Sequence, residues 1–166
     1  MKIRVATYNI HKGVSSFRST PRVLALKKAI GAFDADVVFL QEVQGRHDRY
    51  SDKFGQESRG HSHWPEGAQH EFFAGESHHA AYGMNAVYDH GHHGNALLSK
   101  HAIRTHVNRD VSIQGHEERG LLHCELDVEG EILHAICVHL GLRESHRREQ
   151  LRLLCEVVAN EIPAEA

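Results

Sequence analysis

Cysteine is scarce in this 166-residue chain, which has only Cys124, Cys137 and Cys155. They are widely spaced, odd in number and form no CxxC pair, so they support neither a zinc ribbon nor a disulfide framework. Cys124 and Cys137 sit in apolar strand-like runs and Cys155 on an apolar helix face, a pattern that predicts three small buried hydrophobes. A charge bias is missing as well. With 19 Lys and Arg against 22 Asp and Glu, the formal net charge is -3. At the whole-chain level this makes no electrostatic case for nucleic acid or an anionic membrane, and leaves only a local basic patch open. No apolar run approaches a transmembrane length, so stable membrane insertion is not expected. The opening Met1-Lys2-Ile3-Arg4-Val5 enters a strand pattern directly, without the continuous apolar stretch of a signal peptide. The expected location is a reducing cytoplasm. Internal repeats and a second-domain boundary are also lacking.

What is present suffices for one domain with a real core, at 40% hydrophobic residues. The chain holds 17 His, so its net charge turns positive as pH falls below about 6.5. Residues 3–8 read as a strand rich in β-branched and aromatic side chains. A loop follows, and Thr20 and Pro21 fit the N-cap and first position of a helix. Val23, Leu26, Ile30 and Phe33 give that helix one apolar stripe. Val37-Val38-Phe39-Leu40 suits a strand buried on both faces. Strand, helix and strand make a right-handed βαβ unit. Residues 44–70 lose all periodicity and read as one long loop. Strands are expected over 83–88, 96–99, 103–113, 120–128 and 131–138. The first two are separated by a turn at 89–94 and the last two by Glu129-Gly130. A helix over 145–162 closes the chain, with Leu151, Leu154, Cys155, Val158 and Ile162 as its inner face.

Three apolar strands end in a polar residue: Asn9, Glu42 and His139. Ligands of α/β sheets gather beyond the carboxyl ends of strands, and the right-handed crossover puts Asn9 and Glu42 at the same end of adjacent parallel strands.

The same residues carry a family pattern. Thr7-Tyr8-Asn9-Ile10-His11 followed by Asp36-Val37-Val38-Phe39-Leu40-Gln41-Glu42-Val43 resembles the two opening motifs of the endonuclease/exonuclease/phosphatase family. Gly94-Asn95-Ala96-Leu97-Leu98-Ser99-Lys100 is similar to its middle strand. Arg119-Gly120-Leu121-Leu122 and Val138-His139-Leu140-Gly141-Leu142 resemble later ones, with Arg148-Glu149-Gln150 in the helix beyond. Each motif is weak alone; five in order are specific. The Asn-Ile-His-Lys-Gly opening is most similar to small bacterial members.

The resemblance implies an α/β domain over 1–166, a four-layer α/β/β/α sandwich of the DNase I-like type. It also implies hydrolysis of a phosphate ester, most simply a phosphodiester of a nucleic acid, phospholipid or small molecule, with Mg²⁺ or alternatively Mn²⁺. A hard cation wants carboxylate oxygen and keeps several waters, so one glutamate can anchor it. Carried over by motif, Glu42 matches the metal ligand and Asn9 the amide that holds phosphate or a metal-bound water. His139 matches the histidine that contacts phosphate or assists proton transfer. Arg119 fits a phosphate contact or a structural ion pair, Asn95 a site-shaping residue or a plain turn, and His11 a substrate contact or a solvent-facing side chain. The clusters His61-Ser62-His63, His78-His79 and His90-Gly91-His92-His93 lack the spacing of a hydrolytic zinc site and read as loop or surface histidines.

The chain departs from the family in one respect. Complete members continue into a Gly-Asp-x-Asn strand and a terminal Asp-His pair, and neither occurs in this sequence. The expectation is an N-terminal two-thirds of the domain with little turnover alone. An open sheet edge would invite self-association. The alternative is a protein that keeps the fold and binds metal or phosphate without turnover.

Overall fold

The computed structural model describes residues 2–15, 20–55 and 64–164. Strand β1 (Val5–Asn9) leads through a single 3-10 turn, His11–Gly13, to helix α1 (Val23–Phe33) and strand β2 (Val37–His47). Helices α2 (Asp48–Gly55) and α3 (Gln69–Ala74) follow, then strands β3 (His79–Tyr88), β4 (Gly91–Ser99), β5 (Ala102–Asp110), β6 (Gly120–Val128) and β7 (Glu131–Val138), and helix α4 (Glu144–Glu161). The strands form two sheets, ordered β1-β2-β4-β3 and β5-β6-β7. Strands β1 and β2 are parallel, with Asn9 opposite Gln41, and every other pairing is antiparallel.

Alternation along each strand sorts side chains into layers. Val38, Leu40, Ala96 and Leu98 pack with Val23, Leu26 and Ile30 of α1, and with Phe54 and Phe73 from α2 and α3. Val37, Ala81 and Leu97 meet Leu122, Cys124, Leu126, Ala135 and Cys137 between the sheets. Leu121, Ile136 and Val138 face Leu153, Leu154 and Val157 of α4. The result is the expected four-layer sandwich. No helix among the described residues is long and apolar enough to cross a membrane.

Several boundaries differ from the sequence expectation. Helix α1 begins at Val23 behind Arg22, with no side-chain cap. Pro21 instead bridges to Val14, and Arg22 N–H donates to Gly13 O at 2.8 Å, which ties this segment back to residues 13–14 ahead of the helix. Residues 44–70 are not one loop, because β2 continues to His47 and α2 follows directly. The polar residues at the end of β2 are paired with β4 from Gly94 to Gly91, and this backbone pairing needs no apolar pattern. His61 and His63 lie outside the described residues. Strand β5 ends at Asp110, three residues early. The inner face of α4 is also rotated: Leu151 and Val158 are largely exposed, and so is Cys155, against its expected burial. Gln150 sets the rotation. It is buried, its Oε1 accepts Gly141 N–H at 2.8 Å, and its Nε2 donates to Val111 O at 3.2 Å.

Candidate active site

The site begins with a fault in β2. Val38 and Leu40 point into the helix-side core, so strict alternation would bury Glu42 there too. Val43 takes that place instead. The pairing with β4 runs from Leu40↔Ala96 to Val43↔Gly94, three residues against two, which is a β-bulge. Glu42 occupies the bulge with a φ of 55°. A left-handed conformation costs a non-glycine residue about 1–2 kcal/mol. The strain turns the Glu42 carboxylate toward the ends of β1 and β7.

Asn9 meets it there, its Nδ2 donating to Glu42 Oε1 at 3.0 Å. The amide orientation is fixed from the other side, since Asn9 Oδ1 accepts His11 N–H at 3.0 Å. Val138 faces α4, so the next residue, His139, alternates toward the cleft. Its Nε2 lies 3.8 Å from Glu42 Oε1, and the side chains of both are 20% exposed. His11 Nδ1 stands 3.8 Å from Glu42 Oε2 and is well exposed. Gln41 forms the floor, its Nε2 donating to Thr7 Oγ1 at 3.2 Å and reaching Cys137 Sγ at 3.6 Å. Three strands therefore bring Asn9, Glu42 and His139 together. Burial pulls the His139 pKa below the ordinary histidine value, and Arg119 adds to this against the opposing pull of Glu42 and Glu117. Its imidazole is neutral at neutral pH.

Arg119 stands at the neck of the loop between β5 and β6. Val111 N–H donates to Arg119 O at 2.9 Å, and Arg119 N–H to Ser112 Oγ at 3.0 Å. Its guanidinium pairs with Glu117 at 3.1 Å and is only 12% exposed. Asn95 is fully buried between the sheets, with Nδ2 donating to Gly120 O at 2.9 Å. It braces the strand that begins beside Arg119. The sequence reading passed over Lys12 and Glu117 as site residues and took His93 for a loop or surface histidine, which its burial within β4 overturns. His93 is buried in β4, its Nε2 2.9 Å from Glu117 Oε1, and Lys12 Nζ is 3.9 Å from the same oxygen. Glu117 stands two positions before the Arg119 motif, which was the available signal. The burial of His93 depends on the unforeseen length of β4.

The donor set fits a hard divalent cation. Glu42 Oε1 and Oε2 and Asn9 Oδ1 are oxygen donors, and Glu42 accepts one amide hydrogen bond, leaving lone pairs on both oxygens. Zinc would need three or four nitrogen, sulfur or carboxylate ligands. Among the described residues no group of three His, Cys, Asp or Glu side chains could hold a metal.

The model of the Endonuclease/Exonuclease/phosphatase family matches residues 6–165. The chain belongs to this family. Another relative is the Escherichia coli K12 protein YbhP, 44% identical over 163 residues, which are 96% of this chain and 61% of YbhP. The chain thus spans about 61% of the length of the curated relatives it matches. Among solved structures, an endonuclease/exonuclease/phosphatase from Beutenbergia cavernae DSM 12333 is similar with a TM-score of 0.71 at 22% identity, over 93% of this chain and 43% of that one. TDP2 of D. rerio, complexed with a single-strand DNA product, has a TM-score of 0.60 at 16% identity, over 97% and 56%. At these identities the structures establish the family's fold.

Proposed function

We propose that this family domain hydrolyses a phosphate ester, a phosphodiester in particular, with Mg²⁺ or Mn²⁺ held at Glu42 and Asn9. The reading rests on one observation, the meeting of Asn9, Glu42 and His139 at the strand ends. A bound divalent cation supplies Lewis-acid polarisation of a phosphoryl oxygen. The protein's own residues do the rest. The Asn9 amide, oriented by His11 N–H, holds the Glu42 carboxylate in one direction. Neutral His139 contacts a phosphoryl oxygen through Nε2 or accepts a proton there. Arg119, fixed at the loop neck, offers a planar set of donors to phosphate oxygens. The Gly-Asp-x-Asn and Asp-His motifs of complete members, absent here, contribute water activation and a further phosphate contact.

The test is hydrolysis of bis(p-nitrophenyl) phosphate with Mg²⁺ or Mn²⁺, by this chain and by the longest reading frame that contains it. In the longer protein, His139→Ala should cost about 10²–10⁴-fold in kcat, and turnover equal to the unaltered protein would refute the role. The shorter chain should be slower by a similar factor. A second reading is metal or phosphate binding without turnover, because the Gly-Asp-x-Asn and Asp-His motifs do not occur in this sequence. Metal-dependent turnover in neither protein, with binding retained, would select it. Nucleic acid and phospholipid are the substrate classes to compare. The unpaired edge of β7 is where copies would associate, which sedimentation would detect.

A further inference from the structure

We infer that Lys12, His93 and Arg119 form an oxyanion subsite beside His139 which the chain's own Glu117 occupies, so that a substrate phosphate binds by displacing this carboxylate. The inference rests on the phosphoesterase reading and adds a competitor inside the site.

The three cationic or donor groups are held by rigid parts of the fold. His93 belongs to β4 and its side chain is 5% exposed. Lys12 lies in the 3-10 turn after β1, with a φ of 59°, and its carbonyl accepts Gln69 Nε2 at 3.1 Å. Arg119 is pinned at the loop neck by Val111 and Ser112. Glu117 is different. It sits on the loop distal to that neck, two residues after Gly115 with a φ of 77°, and its side chain is 45% exposed. It borders a cavity of about 220 Å³ lined in part by His116, Arg143 and His146, so the carboxylate has somewhere to go. The backbone bonds that anchor Arg119 run to Val111 and Ser112 and not to the Glu117 backbone.

The pairing inside the cluster is also unequal. Three donors face two carboxylate oxygens. Oε2 takes Arg119 at 3.1 Å, while Oε1 is shared by His93 at 2.9 Å and Lys12 at 3.9 Å, too long for a hydrogen bond. Although burial works the other way, Arg119, His93 and Lys12 together hold the Glu117 carboxyl below the usual range. It is ionised, so His93 Nε2 is the donor. A phosphate brings more oxygens and more charge, and serves all three donors at once. Lys12 directly follows His11, whose Nδ1 stands 3.8 Å from Glu42 Oε2, and this places the subsite beside the proposed reacting centre.

The probe is inorganic phosphate, titrated into this chain by calorimetry. If Glu117 competes with it, E117Q keeps the shape, removes the charge and tightens phosphate binding by at least about fivefold, the low end of coupling between ligands. K12M should weaken binding. A strut that merely orients Arg119 and His93 predicts the opposite sign for E117Q. Unchanged or weaker phosphate affinity in an E117Q protein with wild-type circular dichroism would overturn the inference. In the unaltered chain, saturating phosphate should shift the His93 imidazole ¹⁵N resonances, and unmoved resonances would overturn it without any variant. Failure of the phosphodiesterase reading appears separately, as absent turnover with these phosphate effects intact.

Discussion

Replacing Glu42 by Gln removes a charge and very little else. The Gln carbonyl oxygen can still accept the Asn9 Nδ2 hydrogen bond seen at 3.0 Å, and the bulge and its φ of 55° stay as they are. The stability cost is the difference between a charge-assisted and a neutral hydrogen bond, about 1 kcal/mol. For a domain of this size that lowers Tm by roughly 2–4 °C. The effect on metal binding is larger. Removing partners around a metal ligand already costs about 10–100-fold in affinity, and losing the anchoring carboxylate should cost at least the upper figure. A ligand at about ten times its Kd stabilises the folded state by about 1.4 kcal/mol, so Mg²⁺ should raise Tm by roughly 3–6 °C. At the same concentration, a hundredfold weaker site gives under about 0.1 kcal/mol. The assay is a set of thermal melts of both proteins in EDTA and in Mg²⁺. An equal Mg²⁺ upshift in E42Q, or none in the unaltered chain, would refute Glu42 as the ligand.

Asn95→Ala should destabilise by about 2 kcal/mol, because it strands the buried Gly120 carbonyl that accepts Nδ2 at 2.9 Å. A change below about 0.5 kcal/mol in urea unfolding would contradict its bracing role. Of the three thiols, only Cys155 should react quickly with DTNB in the native protein, since burial pushes Cys124 and Cys137 up to about 12. Rapid reaction of more than one would show an open core. Acid should weaken the fold early. Burial lowers the pKa of His70, His93 and His139, so the unfolded chain binds more protons below about 6.5, and stability present above that pH is lost as pH falls through it. His70, stacked on Tyr82 with ring centroids 4.8 Å apart, tests this. His70→Phe should flatten the dependence of the urea midpoint between pH 7.5 and pH 5.5, and an unchanged slope would exclude its contribution.

The layers were legible because their signal is apolar periodicity. Val23, Leu26 and Ile30 of α1, and Val37–Leu40 of β2, pack where the pattern puts them. Asn9, Glu42 and His139 were legible as polar residues ending apolar runs, and as members of ordered motifs. What stayed hidden has no local apolar signature. The second half of β2 is polar and is held by main-chain pairing with β4. The rotation of α4 is decided by Gln150, a polar residue that an apolar stripe cannot nominate. Pro21 looked like a helix start because its fixed φ suits one, yet its pairing with Val14 delays the helix to Val23. His93, Lys12 and Glu117 come from three distant segments, and only the folded chain puts them in one place.

The bulge at Glu42 has a genetic consequence. Between Leu40↔Ala96 and Val43↔Gly94, β2 spends one residue more than β4. A single-codon deletion of Gln41 would remove this bulge and leave the second one, between Gln44 and Arg46, in place, with Leu40 and Val43 still facing the helices. The remaining glutamate would slide into the place of Gln41, against Thr7 and Cys137, and leave Asn9 without its acceptor. The deletion shortens β2 by the one residue it has in excess of β4 over this stretch, while the place of Gln41 opposite Asn9 passes to the glutamate. On the proposed function, the product should keep the fold and lose the site, which circular dichroism and turnover of the deletion variant would check together.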